Sequence, residues 1–378
     1  MKNRFNNATC PPYTVRRRPG FTLVELLVAI SIIGILMAIA IPAIGAALRS
    51  GRESAVRAEI ESIKQSLEAY KLKYGDYPPD LFDWNLAVRH YRKIFPNIDL
   101  NELNILRQLT WNAADGGPTT NHGHLPTSMD RAEVVVWNLG GFSSDPRHPF
   151  TGAGGPLQVR PTIPAPTALQ LTMAATYGYN ATRENFLVDF QVSQLSMGEY
   201  NVTTGTATSL DDGDLFPVYR RNADGSPYLY FDSRTYGAAY TNPNNSTAYI
   251  NQYVSPTGAD WGSVRPYLSD QVVSPVEGIV QKSAGGALHF MEKNTFQLTS
   301  AGLDDKFGNL LIDSVTSEPI YFSYPSGTGY RIDGTTTPLP TAYEFCTKYG
   351  ESSNGFTEDN HLDNFCSFAE NRLDSELP

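Results

Sequence analysis

The apolar run over residues 21–44 constrains this chain most, because it holds a single acid, Glu25, and follows directly on Arg16-Arg17-Arg18-Pro19-Gly20. As a helix its 24 residues extend about 36 Å, enough to cross a bilayer with some tilt. A carboxylate in hydrocarbon costs at least about 2–3 kcal/mol, so Glu25 asks for a partner or for snorkelling to the interface. Arginines crowd the N-terminal flank, which predicts a cytoplasmic N-terminus. Arg49, Arg52 and Arg57 on the far flank moderate that bias.

The chain's 378 residues leave room for a membrane segment plus one large or two smaller globular domains. Its 26 prolines, 31 glycines and 21 tyrosines predict a loop-rich, β-containing body. Net charge is −10 although residues 1–20 carry Lys2, Arg4, Arg16, Arg17 and Arg18 and no acid. So acidic a body argues against nucleic acid as a partner. The three cysteines, Cys10, Cys346 and Cys366, make no CxxC or Cys/His cluster, which disfavours structural zinc. Once a leader containing Cys10 is removed, Cys346 and Cys366 remain as an even pair in an exported body. They read as a disulfide, with two free thiols as the alternative.

Three fates suit the apolar segment. A secretory signal cut near residues 43–47 leaves its core too long and Glu25 badly placed. A plain anchor explains the length but neither Gly20-Phe21 nor Glu25. The third rests on the string Gly20-Phe21-Thr22-Leu23-Val24-Glu25-Leu26-Leu27-Val28, which resembles the processing site of type IV pilins and type II secretion pseudopilins. The resemblance implies a basic leader at residues 1–20, cut after Gly20 by a prepilin peptidase that then methylates the Phe21 amine. It implies that Glu25 pairs with that amine on a neighbouring subunit, and that Gly34 and Pro42 soften the helix during filament packing. It places the protein in the bacterial inner membrane as a single-pass chain, with its globular part periplasmic or extracellular.

Beyond residue 44 the helix is expected to continue as an amphipathic stretch over 45–75. Ala55, Val56, Ile60, Ile63, Leu67, Tyr70 and Tyr74 recur at three-four spacing, with Arg57, Glu59, Glu61, Lys64, Gln65, Glu68 and Lys71 reading as the solvated face. Gly75-Asp76 and Pro78-Pro79 terminate it. Pro42 is expected to kink the helix or melt it locally. The Tyr70-to-Pro78 stretch resembles the helix exit of the major pseudopilin. The fold class predicted is α+β: a long pilin-type helix, half membrane and half amphipathic, packed on a globular head of short helices and antiparallel β-sheet.

Residues 80–150 read as a helical insertion. Asp83 caps a helix through Ile94, Asp99 caps another through Trp111, and Ser128 or Asp130 caps a third that Gly140-Gly141 ends. Residues 151–345 read as a β-rich head with loops, with strands near Tyr228-Leu229-Tyr230-Phe231 and Ile320-Tyr321-Phe322-Ser323-Tyr324. The run from Thr295 to Gly308 resembles the C-terminal strand and loop of major pseudopilins, which implies a possible Ca2+ site at Asp304, Asp305 and Asn309. The acidic tail, 346–378, offers further oxygens through Asp359 and Asp363. No Walker A loop, dinucleotide fingerprint, HExxH or GxSxG is present, so no enzyme is expected. The function expected is a pseudopilin-like structural subunit of a type II secretion system. Its partners are then prepilin peptidase, like subunits, an inner-membrane platform, minor pseudopilins and membrane lipid. A type IV pilin is the first alternative. The second is an exported carbohydrate-binding or hydrolytic domain using Tyr228, Tyr230, Tyr236 and Tyr240 on a pilin-type anchor.

Overall fold

The computed structural model describes residues 20–376, apart from 111–128, 160–176, 197–199, 202–205, 208–215, 222–224, 238, 242–247, 256–260, 277, 283–284, 309–317, 334–340 and 347–359. The chain divides into two units, Met1–Arg52 and Glu53–Pro378. It is α+β: a long N-terminal helix followed by a domain of short helices and sheets.

Helix α1 spans Leu23–Tyr74 and runs without interruption through Gly34 and Pro42, so the local melting expected at Pro42 does not occur here. It ends where Gly75 turns to φ +78°, a conformation glycine adopts without steric cost. The Gly75 carbonyl there accepts from Lys93 Nζ at 3.1 Å. In the first unit, the apolar side chains from Phe21 to Leu48 stand exposed. Such a surface is unstable in water and suits lipid or the apolar faces of other helices.

In the second unit the α1 stripe Val56, Ile60, Ile63, Leu67 and Tyr70 is fully buried. It packs into one core with Leu81, Tyr91, Leu106 and Trp137. Helix α2 (Trp84–Ile94) begins at Asp83, whose carboxylate accepts from the Leu86 amide at 3.0 Å. Helix α3 (Leu100–Leu109) is capped by Asp99 and stops at Thr110, so it is shorter than expected; Trp111 lies outside the described residues. Before α4 (Glu133–Leu139), Asp130 and Glu133 exchange backbone-to-carboxylate bonds at 2.8 and 3.2 Å, a capping box. Ser128 lies outside the described residues.

The β part holds two larger sheets. Strands β1 (Leu229–Asp232), β5 (Phe296–Ser300) and β9 (Phe365–Cys366) form an antiparallel sheet in the order β9-β5-β1. The other sheet has β2 (Leu268–Ser269), β3 (Val280–Lys282), β4 (Ala287–Leu288), β6 (Ile320–Tyr324), β7 (Gly329–Asp333) and β8 (Thr341–Cys346) in the order β2-β6-β7-β8-β3-β4. It is mixed, because β2 with β6 and β3 with β8 run parallel.

Buried charge fixes the chain where it leaves α1. Asp80 faces Arg131 Nη1 at 3.3 Å and accepts from Asn251 Nδ2 at 2.9 Å and Thr235 Oγ1 at 2.5 Å. Arg234 bridges Asp76 at 2.8 Å and Asp232 at 2.6 Å. Glu59, expected on the solvated face, instead accepts from Tyr219 at 2.5 Å, Tyr228 at 2.7 Å and Gln194 at 3.2 Å. Arg57, also expected there, is half-buried and donates to Asn371. Both were misplaced because helical periodicity cannot see partners far along the chain.

Candidate processing and assembly site

Gly20, Phe21 and Thr22 precede the first helical residue and are exposed, Phe21 at 77%. The Gly20–Phe21 peptide bond therefore sits in accessible backbone outside the helix, where a protease can reach it. Thr22 and Glu25 close the start of α1 as a reciprocal pair. The Thr22 hydroxyl accepts from the Glu25 amide at 3.2 Å, and Glu25 Oε2 accepts from the Thr22 amide at 2.9 Å and hydroxyl at 2.8 Å. This is a capping box. It is legible in the sequence as Thr-x-x-Glu. In the isolated chain the carboxylate is thus already held by its own subunit. Both of these contacts fall on Oε2, which leaves Oε1 presented to another donor.

Further along, the Ser31 hydroxyl donates to the Val28 carbonyl at 2.8 Å, so this polar group is satisfied inside the helix. A side-chain carbon built on Gly34 meets nothing within 4 Å, so its missing side chain is not required by packing inside one subunit.

Two other expected sites lie in the C-terminal part of the chain. Cys366 is a free, buried thiol whose sulfur lies 3.6 Å from Thr299 Oγ1, and burial pushes its pKa up to about 12. The expected Cys346–Cys366 disulfide is not formed. Cys346 ends β8 of the mixed sheet while Cys366 ends β9 of the antiparallel one, and their strands do not pair. In the loop after β5, Asp305 is taken by Arg221 at 3.2 Å and by the Ser226 amide at 3.2 Å. Asp304 caps the Lys306 amide at 2.9 Å. Burial and the facing Asp304 carboxylate push Asp363 up to about 6. Asn309 and Asp359 lie outside the described residues. Among the described residues no three His, Cys, Asp or Glu side chains converge as a metal site. Of the Ca2+ set read from Asp304, Asp305 and Asn309, the second member pairs with an arginine.

Residues 15–41 match the family model described as the prokaryotic N-terminal methylation motif. The chain is similar to the type II secretion system core protein G of Pseudomonas aeruginosa, 33% identical over 63 residues, which are 17% of this chain and 44% of that protein. It thus spans less than half the length of this curated relative. No solved structure matches it. The motif and the one helix among the described residues that is long and apolar enough to cross a membrane fit a membrane-anchored protein. The motif around the Gly20–Phe21 junction, the long helix that follows it and this partial similarity support a pilin-like chain.

Proposed function

We propose that this pilin-like chain is a structural subunit of a type II secretion pseudopilus and catalyses nothing itself. Prepilin peptidase cuts between Gly20 and Phe21 and methylates the Phe21 amine. The N-terminus stays cytoplasmic and the Glu53–Pro378 unit is periplasmic. Copies then polymerise, with minor pseudopilins and an inner-membrane platform, into a filament that assists protein export.

The observation behind this reading is Glu25, set one turn from the cleavage junction on a helix whose large apolar side chains from Leu23 to Leu48 are exposed. Cleavage converts the Phe21 nitrogen into an ammonium with no intrahelical acceptor. An adjoining copy offers Glu25 Oε1. In low dielectric that attraction is strong enough to select one axial register. Gly34 and Pro42 give the helix a stretch of weak backbone bonding that adjusts during docking.

The test compares Glu25→Ala with Thr22→Ala. Both are expected to yield N-methylated Phe21 by mass spectrometry of the mature chain. Glu25→Ala should lose most filament formation, whereas Thr22→Ala, which removes only a cap worth about 1 kcal/mol, should keep it. Filaments from Glu25→Ala at the wild-type level, or a mature N-terminus near residues 43–47, would refute the proposal. The type IV pilin alternative draws on a C-terminal disulfide, and Cys366 is a free thiol. The carbohydrate-binding alternative draws on a Tyr-rich body, of which Tyr228, Tyr230 and Tyr236 lie in the core, while the side chain of Tyr240 is outside the described set.

A further inference from the structure

Residues 53–378 hold 38 of the chain's 39 acids but 22 of its 29 bases, a net charge of −16. Two such bodies brought side by side repel, unless bases on one meet acids on the other. The stretch where α1 ends and α2 runs departs from that balance. Lys73, Arg89, Arg92 and Lys93 fall within it, and all are exposed. Its acids, Asp76, Asp80 and Asp83, are each engaged inside the subunit. Asp76 bridges Arg234, Asp80 is buried against Arg131, and Asp83 caps α2. The surface that remains is basic.

These bases share one region. Arg89, Arg92 and Lys93 stand three and four positions apart on α2, on one face of the helix, while Ala87, His90 and Tyr91 on the other face are buried. Lys93 Nζ reaches the Gly75 carbonyl at 3.1 Å, which brings the basic face beside the last turn of α1. There Lys73 Nζ lies over the Tyr74 ring at 5.0 Å. Among the described residues, Arg89 and Arg92 have no ion-pair partner. Elsewhere the same body presents exposed acids, among them Glu184, Asp189, Glu292 and Glu370.

We infer that the basic face of α2, with Lys73 beside it, is a docking surface for the acidic surface of a second copy of this chain. A guanidinium presents a planar fork that holds a carboxylate by two parallel bonds. Arg89 and Arg92, one turn apart, offer two such forks. Exposed charges act over about 8 Å at physiological salt, so the contact forms between copies already side by side. It selects which faces meet more than it drives association. The inference rests on the pseudopilus reading for its partner, another copy.

The experiment couples amines to touching carboxylates with a zero-length carbodiimide. Processed full chains, light and isotope-heavy in equal amounts, are mixed in detergent, and mass spectrometry of mixed-isotope peptides identifies the bonds made between copies. Lys73 and Lys93 should carry several times more of these bonds, to Asp or Glu of residues 53–378, than Lys293, which is also exposed. R89Q/R92Q should lower the yield at Lys93 about fivefold, while K293Q should leave it unchanged. Circular dichroism checks that both variants keep their fold, and the wild-type map decides the matter without them. Absence of mixed-isotope bonds at Lys93, or an equal yield at Lys293, would overturn the inference. So would an undiminished yield in R89Q/R92Q. Filament assembly by Glu25→Ala is scored separately, so failure here leaves the pseudopilus reading standing, and the reverse also holds.

Discussion

Removing Asp80 should destabilise the globular unit far more than any surface acid. Its carboxylate is 1% exposed, and it faces Arg131, whose side chain is 2% exposed, at 3.3 Å. Thr235 and Asn251 also donate to it. Asp80→Ala strands a cation and two polar donors away from water. Breaking a buried pair in this way costs about 3–5 kcal/mol. Arg131→Met in the same chain removes the stranded cation, so D80A/R131M should cost less than the two single variants added together, with a coupling of about 2 kcal/mol. Glu61→Ala is the contrast: Glu61 and Lys64 are exposed and 4.0 Å apart, and such pairs contribute under about 1 kcal/mol. Urea unfolding of the full chain in detergent, followed by near-ultraviolet circular dichroism, measures all four. The electrostatic account of the helix exit fails if Asp80→Ala costs no more than Glu61→Ala, or if the double variant is strictly additive.

Two further outcomes follow from groups buried beside α1. Glu59→Ala should cost about 2–4 kcal/mol, because it leaves the hydroxyls of Tyr219 and Tyr228 without their acceptor; Tyr228→Phe should then cost clearly less in that background than alone, and equal costs in both would contradict the shared bond. His90 accepts or donates one bond to Tyr70 at 2.9 Å, and burial pushes its pKa down from 6.5 to about 3. The unfolded chain therefore takes up a proton that the folded chain refuses. Stability is full above pH 6.5 and is lost as pH falls towards 3, by about 2 kcal/mol at pH 5. Melting temperatures of wild type and His90→Gln between pH 7 and pH 5 check this, since the variant should lose less on acidification and parallel curves would refute it.

The parts of this molecule that were legible in the sequence are those decided within a few residues. The α1 stripe appears as three-four spacing because a helix repeats its faces every turn. Asp83 and Asp99 are readable as caps because the amides that donate to them lie two or three positions on. What escaped notice depends on distant partners. Glu59 and Arg57 look solvated to any periodicity argument, yet their partners include Tyr228 and Asn371. Asp305 looks like a cation ligand until Arg221 is brought beside it. Cys346 and Cys366 look like a pair until the sheets divide them.

Glu25 belongs to both groups, and this changes the energetics of assembly. Its cap is readable from Thr22 three positions before it, whereas the partner of an acid in an apolar helix is not a local feature. Since Thr22 already donates twice to Oε2, docking does not rescue a wholly stranded carboxylate. On the proposed processing, the group in greater need is the ammonium that cleavage would create on Phe21. The driving force should therefore scale with the charge of that amine more than with the basicity of Glu25. An acetylated N-terminus, which removes the charge and leaves Glu25 and its cap untouched, should block assembly as completely as Glu25→Ala. Normal filaments from an acetylated chain would show that the pair does not drive docking.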